Sequence, residues 1–207
     1  MASILVFARA PVPGRAKTRL IPALGAEGAA RLHRALVNHA LGEAAAAGAE
    51  RLELWAAGDD AAGELAALAA AHGARLRWQA GADLGARMQA ALADAVGRGG
   101  PALVVGTDCP WLDTAAIDEA LARLVTHDAV LGPADDGGYV LLGLHRVEPV
   151  LFDGLPWGTE RVLDVTRDRL AGLGWCWHEL TSRGDIDRPG DLERLRALGP
   201  PWSGLLD

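Results

Sequence analysis

Cysteine is scarce in this chain of 207 residues: only Cys109 and Cys176 are present. Two cysteines make no disulfide framework, and neither has a Cys or His neighbour at zinc-ligand spacing. Both read as core or lining residues in a reducing compartment. An excess of positive charge is also missing, since 20 Lys and Arg stand against 27 Asp and Glu, for a net charge of −7. With no basic stripe to replace counterions, nucleic acid is not an expected partner. No apolar run approaches the roughly 20 residues that a membrane span needs. No basic stretch followed by an apolar segment marks a signal peptide. The expectation is a cytoplasmic protein with no membrane partner. No Ser/His/Asp nucleophile set is apparent, and the six histidines (His33, His39, His72, His127, His145, His178) are scattered and read as structural or surface residues. Neither phosphate-loop signature occurs. Ala16 stands where the second Gly of G-x-x-x-x-G-K-[ST] belongs, and there is no G-x-G-x-x-G.

What is present is an alternation of short apolar runs and Ala/Leu-rich helical stretches. Ser3–Ala8 is a first strand, Arg51–Ala57 and Ala74–Gln79 alternate as strands, and Ala102–Val105 is an apolar run suited to a strand covered on both faces. Asp128–Pro133, Tyr139–Leu144 and Trp175–Leu180 complete the strands. Helices fall between them: Gly25–Ala47, the stretch around Leu65 and Leu68, Asp83 to about Gly99, Asp113 to Leu124, Thr159 to Leu170, and a last one from Asp191. Asp83, Asp113 and Thr159 suit the N-cap positions. The order predicts a three-layer, doubly wound, mostly parallel α/β sheet. Strand order is not readable. With no repeat and no linker, residues 1–207 form one domain, with 199–207 as a loose, proline-bearing tail.

In such sheets ligands bind beyond the carboxyl ends of the strands. Three strand ends here carry acids: Asp108, then Asp135 and Asp136 before Gly137-Gly138, then Asp185 and Asp187. Paired Asp before Gly-Gly is also ordinary turn chemistry. After the first strand, Arg9, Arg15, Lys17 and Arg19 fall within eleven residues of an otherwise acidic chain, around Gly14. A loop with that charge and free backbone N–H groups suits phosphates, although such runs also occur as solvated turns. Together these features suit a Mg²⁺ or Mn²⁺ ion bridging carboxylates and polyphosphate oxygens.

The residues Phe7-Ala8-Arg9 with Pro13–Leu20, Gln79, Asp83–Met88, Gly106–Pro110, Asp135–Tyr139, Trp157-Gly158-Thr159 and Asp185-Ile186-Asp187 resemble the DUF2064 group. That group of GT-A superfamily proteins is also called selenodomain-associated transferase 1. The resemblance spans nearly the whole chain and implies a nucleotide-diphospho-sugar transferase (GT-A) fold. It implies that Arg9, Gly14, Arg15, Lys17, Arg19, Asp83 and Arg87 bind nucleotide, and that Asp108, Asp185 and Asp187 hold the metal. It places Asp135, Tyr139, Trp157 and Thr159 at the acceptor pocket, and Lys17, Asp108 and Asp136 in catalysis. Glycosyltransferases of this fold usually carry Asp-x-Asp at the metal strand. Here Asp108 is followed by Cys109-Pro110, more like the nucleotidyltransferase branch, whose Gly-Gly-x-Ser core is nevertheless replaced by Arg9–Gly14. The expected partners are a nucleotide or nucleotide sugar and a small-molecule acceptor. Three readings follow: a nucleotidyltransferase, a glycosyltransferase, and a nucleotide-binding protein without turnover.

Overall fold

The computed structural model describes residues 1–206. Seven strands, β1 (Ser3–Arg9), β2 (Arg51–Ala57), β3 (Arg75–Trp78), β4 (Ala102–Gly106), β5 (Ala129–Pro133), β6 (Tyr139–Leu144) and β7 (Trp177–Glu179), form one sheet in the order β3-β2-β1-β4-β6-β5-β7. All pairs are parallel except the two made by β6. The reversal follows from chain length: the short Ala134–Gly138 turn returns β6 beside β5, which a parallel crossover could not do. The carboxyl ends of β1, β4, β5 and β7 therefore open on the same edge as the start of β6.

Six helices cover the two faces: α1 (Ile21–Ala46), α2 (Glu64–Ala71), α3 (Leu84–Gly97), α4 (Thr114–Arg123), α5 (Val162–Gly172) and α6 (Asp191–Ala197). One face packs Val37, Leu41, Leu65 and Ile117 on Ile4, Val6, Leu54 and Leu103. The other packs Met88, Leu92, Leu163 and Leu170 on Leu5, Val104, Leu131 and Leu142. Strand residues alternate between the two faces, as a doubly covered sheet requires. Asp83 and Asp113 cap α3 and α4, accepting from Ala86 N–H at 2.9 Å and Ala116 N–H at 3.0 Å.

Four expectations need correction. Thr159 does not cap α5; the helix begins at Val162, and the Thr159 hydroxyl donates to the Pro156 carbonyl at 2.8 Å, closing a turn. The helix read from Gly25 begins earlier, at Ile21, and breaks at Gly25, whose φ of 69° only glycine adopts readily. Cys176 is exposed, whereas Cys109 is buried. The tail is anchored: Trp202 is buried against Leu36 and Leu195 and meets His39 edge-on, while Asp207 lies outside the described residues. No helix among the described residues is long and apolar enough to cross a membrane.

Candidate active site

The site is built from the loop after β1. The N–H groups of Arg15 and Ala16 both donate to the Val12 carbonyl at 3.0 Å, and Gly14 turns the chain at φ 77°. Lys17 follows in the left-handed region, at φ 48°. A non-glycine residue there costs about 1 kcal/mol or more and persists only where its surroundings hold it. Two acceptors do so: Nζ donates to Asp108 Oδ1 at 2.8 Å and to the Ile186 carbonyl. Arg19 forms an ion pair with Asp187. The Ile186 N–H donates to the Asp108 carbonyl at 2.8 Å, so the β1, β4 and β7 loops are tied together. Pairing of β5 with β7 continues past the strands, where Asp135 N–H donates to the Arg183 carbonyl at 3.0 Å. This brings Asp136 to the same edge.

The loops surround a cleft of about 840 Å³. Arg9, Arg15, Lys17 and Arg19 line it together with Asp108, Asp136, Asp185 and Asp187, and Lys17 and Arg19 reach across to Asp108 and Asp187. Asp83 and Arg87 stand at the α3 rim, where Arg87 Nε donates to the Gly81 carbonyl at 3.0 Å. Tyr139, Trp157 and Thr159 line the far side. Tyr139 and Trp157 meet edge-to-face at 6.3 Å, and the indole packs so closely on Gly85 that a Cβ there would sit 2.4 Å from its nitrogen. Gly137 is equally constrained: at φ 85° a Cβ would lie 2.1 Å from the Glu160 carbonyl oxygen.

Two expected residues are not on this wall. Gly14 shapes the turn and is exposed to solvent without lining the cleft. Asp135 faces an adjoining polar cleft, where it accepts from the Ser182 hydroxyl at 2.7 Å and lies 3.7 Å from Arg194. One residue read as structural is on it: His33 lines the cleft from α1. Its Nε2 donates to the Arg9 carbonyl at 3.0 Å, which leaves Nδ1 as the unprotonated nitrogen, buried and unpartnered. Burial holds this imidazole below its ordinary pKa, so it is neutral at neutral pH.

The electrostatics separate spectators from candidate ligands. Burial pushes the Cys109 thiol up to about 11, leaving it protonated and no nucleophile. Burial also raises the Tyr139 phenol above its ordinary value, so it stays protonated and its ring serves as wall. Asp185 is pushed up to about 6, first by burial and then by Asp136, Asp108 and Asp187 against the opposing pull of Lys17. Cations and acids are thus both gathered at this edge, and Asp185 is an acid there with no hydrogen-bond partner for its side chain among the described residues. Even so, no group of three or more His, Cys, Asp or Glu among the described residues is already arranged as a ligand shell.

A twisted, mostly parallel sheet with one reversed strand and a charged cleft at its carboxyl edge defines the nucleotide-diphospho-sugar transferase fold class. Residues 40–159 match a family described as uncharacterized proteins conserved in bacteria, DUF2064. The chain belongs to that family. A provisionally named nucleotide-diphospho-sugar transferase from Desulfovibrio desulfuricans G20 is 30% identical, with a TM-score of 0.87 over 99% of this chain and 93% of that one. The 4-diphosphocytidyl-2C-methyl-D-erythritol synthase of Anaerococcus prevotii DSM 20548 is 9% identical, with a TM-score of 0.63 over 96% of this chain and 97% of that one. The glucosyl-3-phosphoglycerate synthase of Mycobacterium tuberculosis, solved with Mn²⁺, UDP and glucosyl-3-phosphoglycerate, is 14% identical, with a TM-score of 0.59 over 96% of this chain and 76% of that one. The last two share the fold. No curated protein sequence matches the chain.

Proposed function

We propose that the chain is a divalent-metal-dependent nucleotidyltransferase that moves a nucleotidyl group from a nucleoside triphosphate to a small acceptor. The observation that carries this reading is the convergence of the Arg9–Arg19 cations and the Asp108, Asp136, Asp185 and Asp187 carboxylates on one cleft. Arg9 and Arg15 have no acid partner among the described residues, so their guanidinium groups are available to phosphate oxygens.

The donor set fits a metal. It is all oxygen, and an ammonium group already stands against Asp108 where a cation would sit. Mg²⁺ and Mn²⁺ take one or two carboxylates and complete their shells with phosphate and water. Asp108 and Asp187, with Asp185, would hold it. When bound, the ion supplies charge neutralisation to the departing polyphosphate.

The chain's own residues do the rest. Arg9, Arg15 and Lys17 hold the β- and γ-phosphates, while Asp83 and Arg87 face the nucleoside side. Tyr139, Trp157 and Thr159 wall the acceptor. The acceptor oxygen bonds to the α-phosphorus, the bond from that phosphorus to the bridging oxygen breaks, and pyrophosphate leaves. The acceptor proton passes to Asp136, which accepts from Gly138 N–H through Oδ1 and keeps Oδ2 free for this purpose.

The test is pyrophosphate release from the four nucleoside triphosphates with Mg²⁺ or Mn²⁺ across a panel of hydroxyl and phosphate acceptors. Release is expected for one base. Nucleoside diphosphate released from a nucleotide sugar instead would make the chain a glycosyltransferase, a reading favoured by the Tyr139–Trp157 corner, which suits a sugar ring. Nucleotide binding without either product would mean a binding protein.

A further inference from the structure

We propose that Lys17 and Arg19 are resident counter-ions of the two principal metal-binding carboxylates. A polyphosphate draws both cations away and so uncovers the metal site. Metal and polyphosphate then bind interdependently, each weakly alone. The proposal rests on the metal reading given above and assigns the coupling within it.

The argument is one of pairing. Asp108 is held by Lys17, and Asp187 by Arg19. The two cations are two residues apart on one loop, so a single movement of that loop unmasks both acids. Neither pair is sealed: the Asp108 side chain is 48% exposed and Asp187 35% exposed, whereas the Lys17 side chain is 4% exposed. The carboxylates thus face the cleft with a cation already against them. A metal ion arriving alone meets an acid whose charge is neutralised and a second positive charge a few ångströms away. The repulsion between the ion and the ammonium group offsets part of its attraction to the carboxylate, so the ion alone binds weakly. A polyphosphate arriving alone meets two cations already engaged, with the Asp136 and Asp185 carboxylates lining the same cleft.

Binding both at once removes each obstacle. The phosphate oxygens replace the carboxylates as partners of Lys17 and Arg19, and the freed carboxylates take the metal. Among the described residues no other cation pairs with Asp108 or Asp187: Arg9 and Arg15 have no acid partner, Arg183 donates to the Trp111 and Thr181 carbonyls and lies 4.0 Å from Asp113, and Arg194 lies against Asp191, Asp135 and the Trp111 ring. By linkage, whatever the polyphosphate does to metal affinity, the metal does to polyphosphate affinity.

The experiment reads binding rather than turnover. Free Mn²⁺ is measured by electron paramagnetic resonance with the wild-type protein, Lys17→Gln, Arg19→Gln and Asp108→Asn. Inorganic pyrophosphate is titrated calorimetrically with and without Mn²⁺, against a blank for the Mn²⁺–pyrophosphate complex. Lys17→Gln should bind Mn²⁺ alone about tenfold more tightly than wild type, and Arg19→Gln by a smaller factor in the same direction. Wild type should gain about tenfold or more in pyrophosphate affinity from Mn²⁺, and Lys17→Gln should lose most of that gain. Arg19 is 66% exposed, so its variant stays folded and carries the test should Lys17→Gln not fold. Mn²⁺ affinity unchanged or weaker in both variants overturns the proposal. If Asp108→Asn alone abolishes Mn²⁺ binding in that case, the metal reading stands without the coupling. If Asp108→Asn binds Mn²⁺ like wild type, the metal site is misassigned and the coupling falls with it.

Discussion

Two clusters of charge sit toward opposite ends of the sheet and differ in how completely they are paired. Toward the amino-terminal ends of the parallel strands, Glu53 on β2 is only 2% exposed. Arg98, from the α3–β4 connection, grips it with two hydrogen bonds at 2.6 and 3.0 Å, and Trp55 Nε1 donates a third at 3.0 Å. Arg77 lies 3.5 Å away, and Asp94 joins both arginines. Burial pushes the Glu53 carboxyl up, but these partners outweigh it and hold it below its ordinary range. At the carboxyl edge the balance is reversed. Asp185 is half-buried, and burial together with the Asp136, Asp108 and Asp187 carboxylates outweighs the pull of Lys17 and raises its value to about 6. A carboxylate saturated with donors, as Glu53 is, marks scaffold. A cleft carboxylate whose side chain has no hydrogen-bond partner among the described residues, as at Asp185, marks a place where a ligand completes the set.

The largest expected effect breaks the saturated cluster. Glu53→Gln leaves the Arg98 fork facing a neutral amide at a buried position, and should cost about 3 kcal/mol in urea unfolding. Nucleotide and Mn²⁺ binding should be unchanged in the folded fraction. A loss below about 0.5 kcal/mol would mean that the cluster is as dispensable as an ordinary surface pair. The same carboxylate gives a pH signature. Its folded pKa is depressed, so its stabilisation is present at neutral pH. It is lost as the pH falls below the ordinary glutamate range toward the folded value. The wild-type advantage over Glu53→Gln should therefore shrink with acidification and hold steady above pH 6.

A smaller and opposite effect is expected at the cleft. Asp185→Asn removes one of several crowded carboxylates without changing volume, and should raise stability by about 1 kcal/mol at neutral pH. It should also weaken Mn²⁺ binding. A substitution that stabilises the fold and harms the ligand is the mark of a site held under strain for function. Destabilisation by Asp185→Asn would show that its carboxylate is already satisfied and would erase the contrast with Glu53.

How far these two clusters could be read from the sequence follows from how local each is. The strand β1 and the stretch Ala102–Asp108 are legible because an unbroken apolar run ending on Asp108 and Pro110 is a local pattern. The cationic loop stands out against a negative chain for the same reason. Glu53 is not legible: in the alternating run Arg51–Ala57 it occupies what reads as a solvent-facing position, and only the fold places Arg98 opposite it, 45 residues away. His33 is hidden because it follows Leu32 on α1, where its neighbours read as a core stripe. The start of α5 is misread because the Thr159 hydroxyl donates to the Pro156 carbonyl and accepts from the Arg161 N–H at 3.4 Å, closing a turn ahead of the helix that begins at Val162. The partner choices Lys17–Asp108 and Arg19–Asp187 span 91 and 168 residues of chain and exist only once the sheet order brings three strand ends together.

The smallest expected effect sharpens the comparison from the basic side. Arg15 is exposed, lines the cleft and has no acid partner among the described residues. It therefore belongs to neither a saturated cluster nor a masked pair. Removing it disturbs no hydrogen bond made by its side chain, so Arg15→Ala should change stability by less than about 0.5 kcal/mol. If the guanidinium is kept free for phosphate, pyrophosphate affinity measured calorimetrically with Mn²⁺ should fall about threefold to tenfold, the scale of one charge-assisted contact at an open site. The loss should diminish as salt is raised, because an exposed charge is screened within about 10 Å at 0.1 M. Equal pyrophosphate affinity in Arg15→Ala and wild type at low salt would make Arg15 a solvated turn residue and leave the phosphates to Arg9, Lys17 and Arg19.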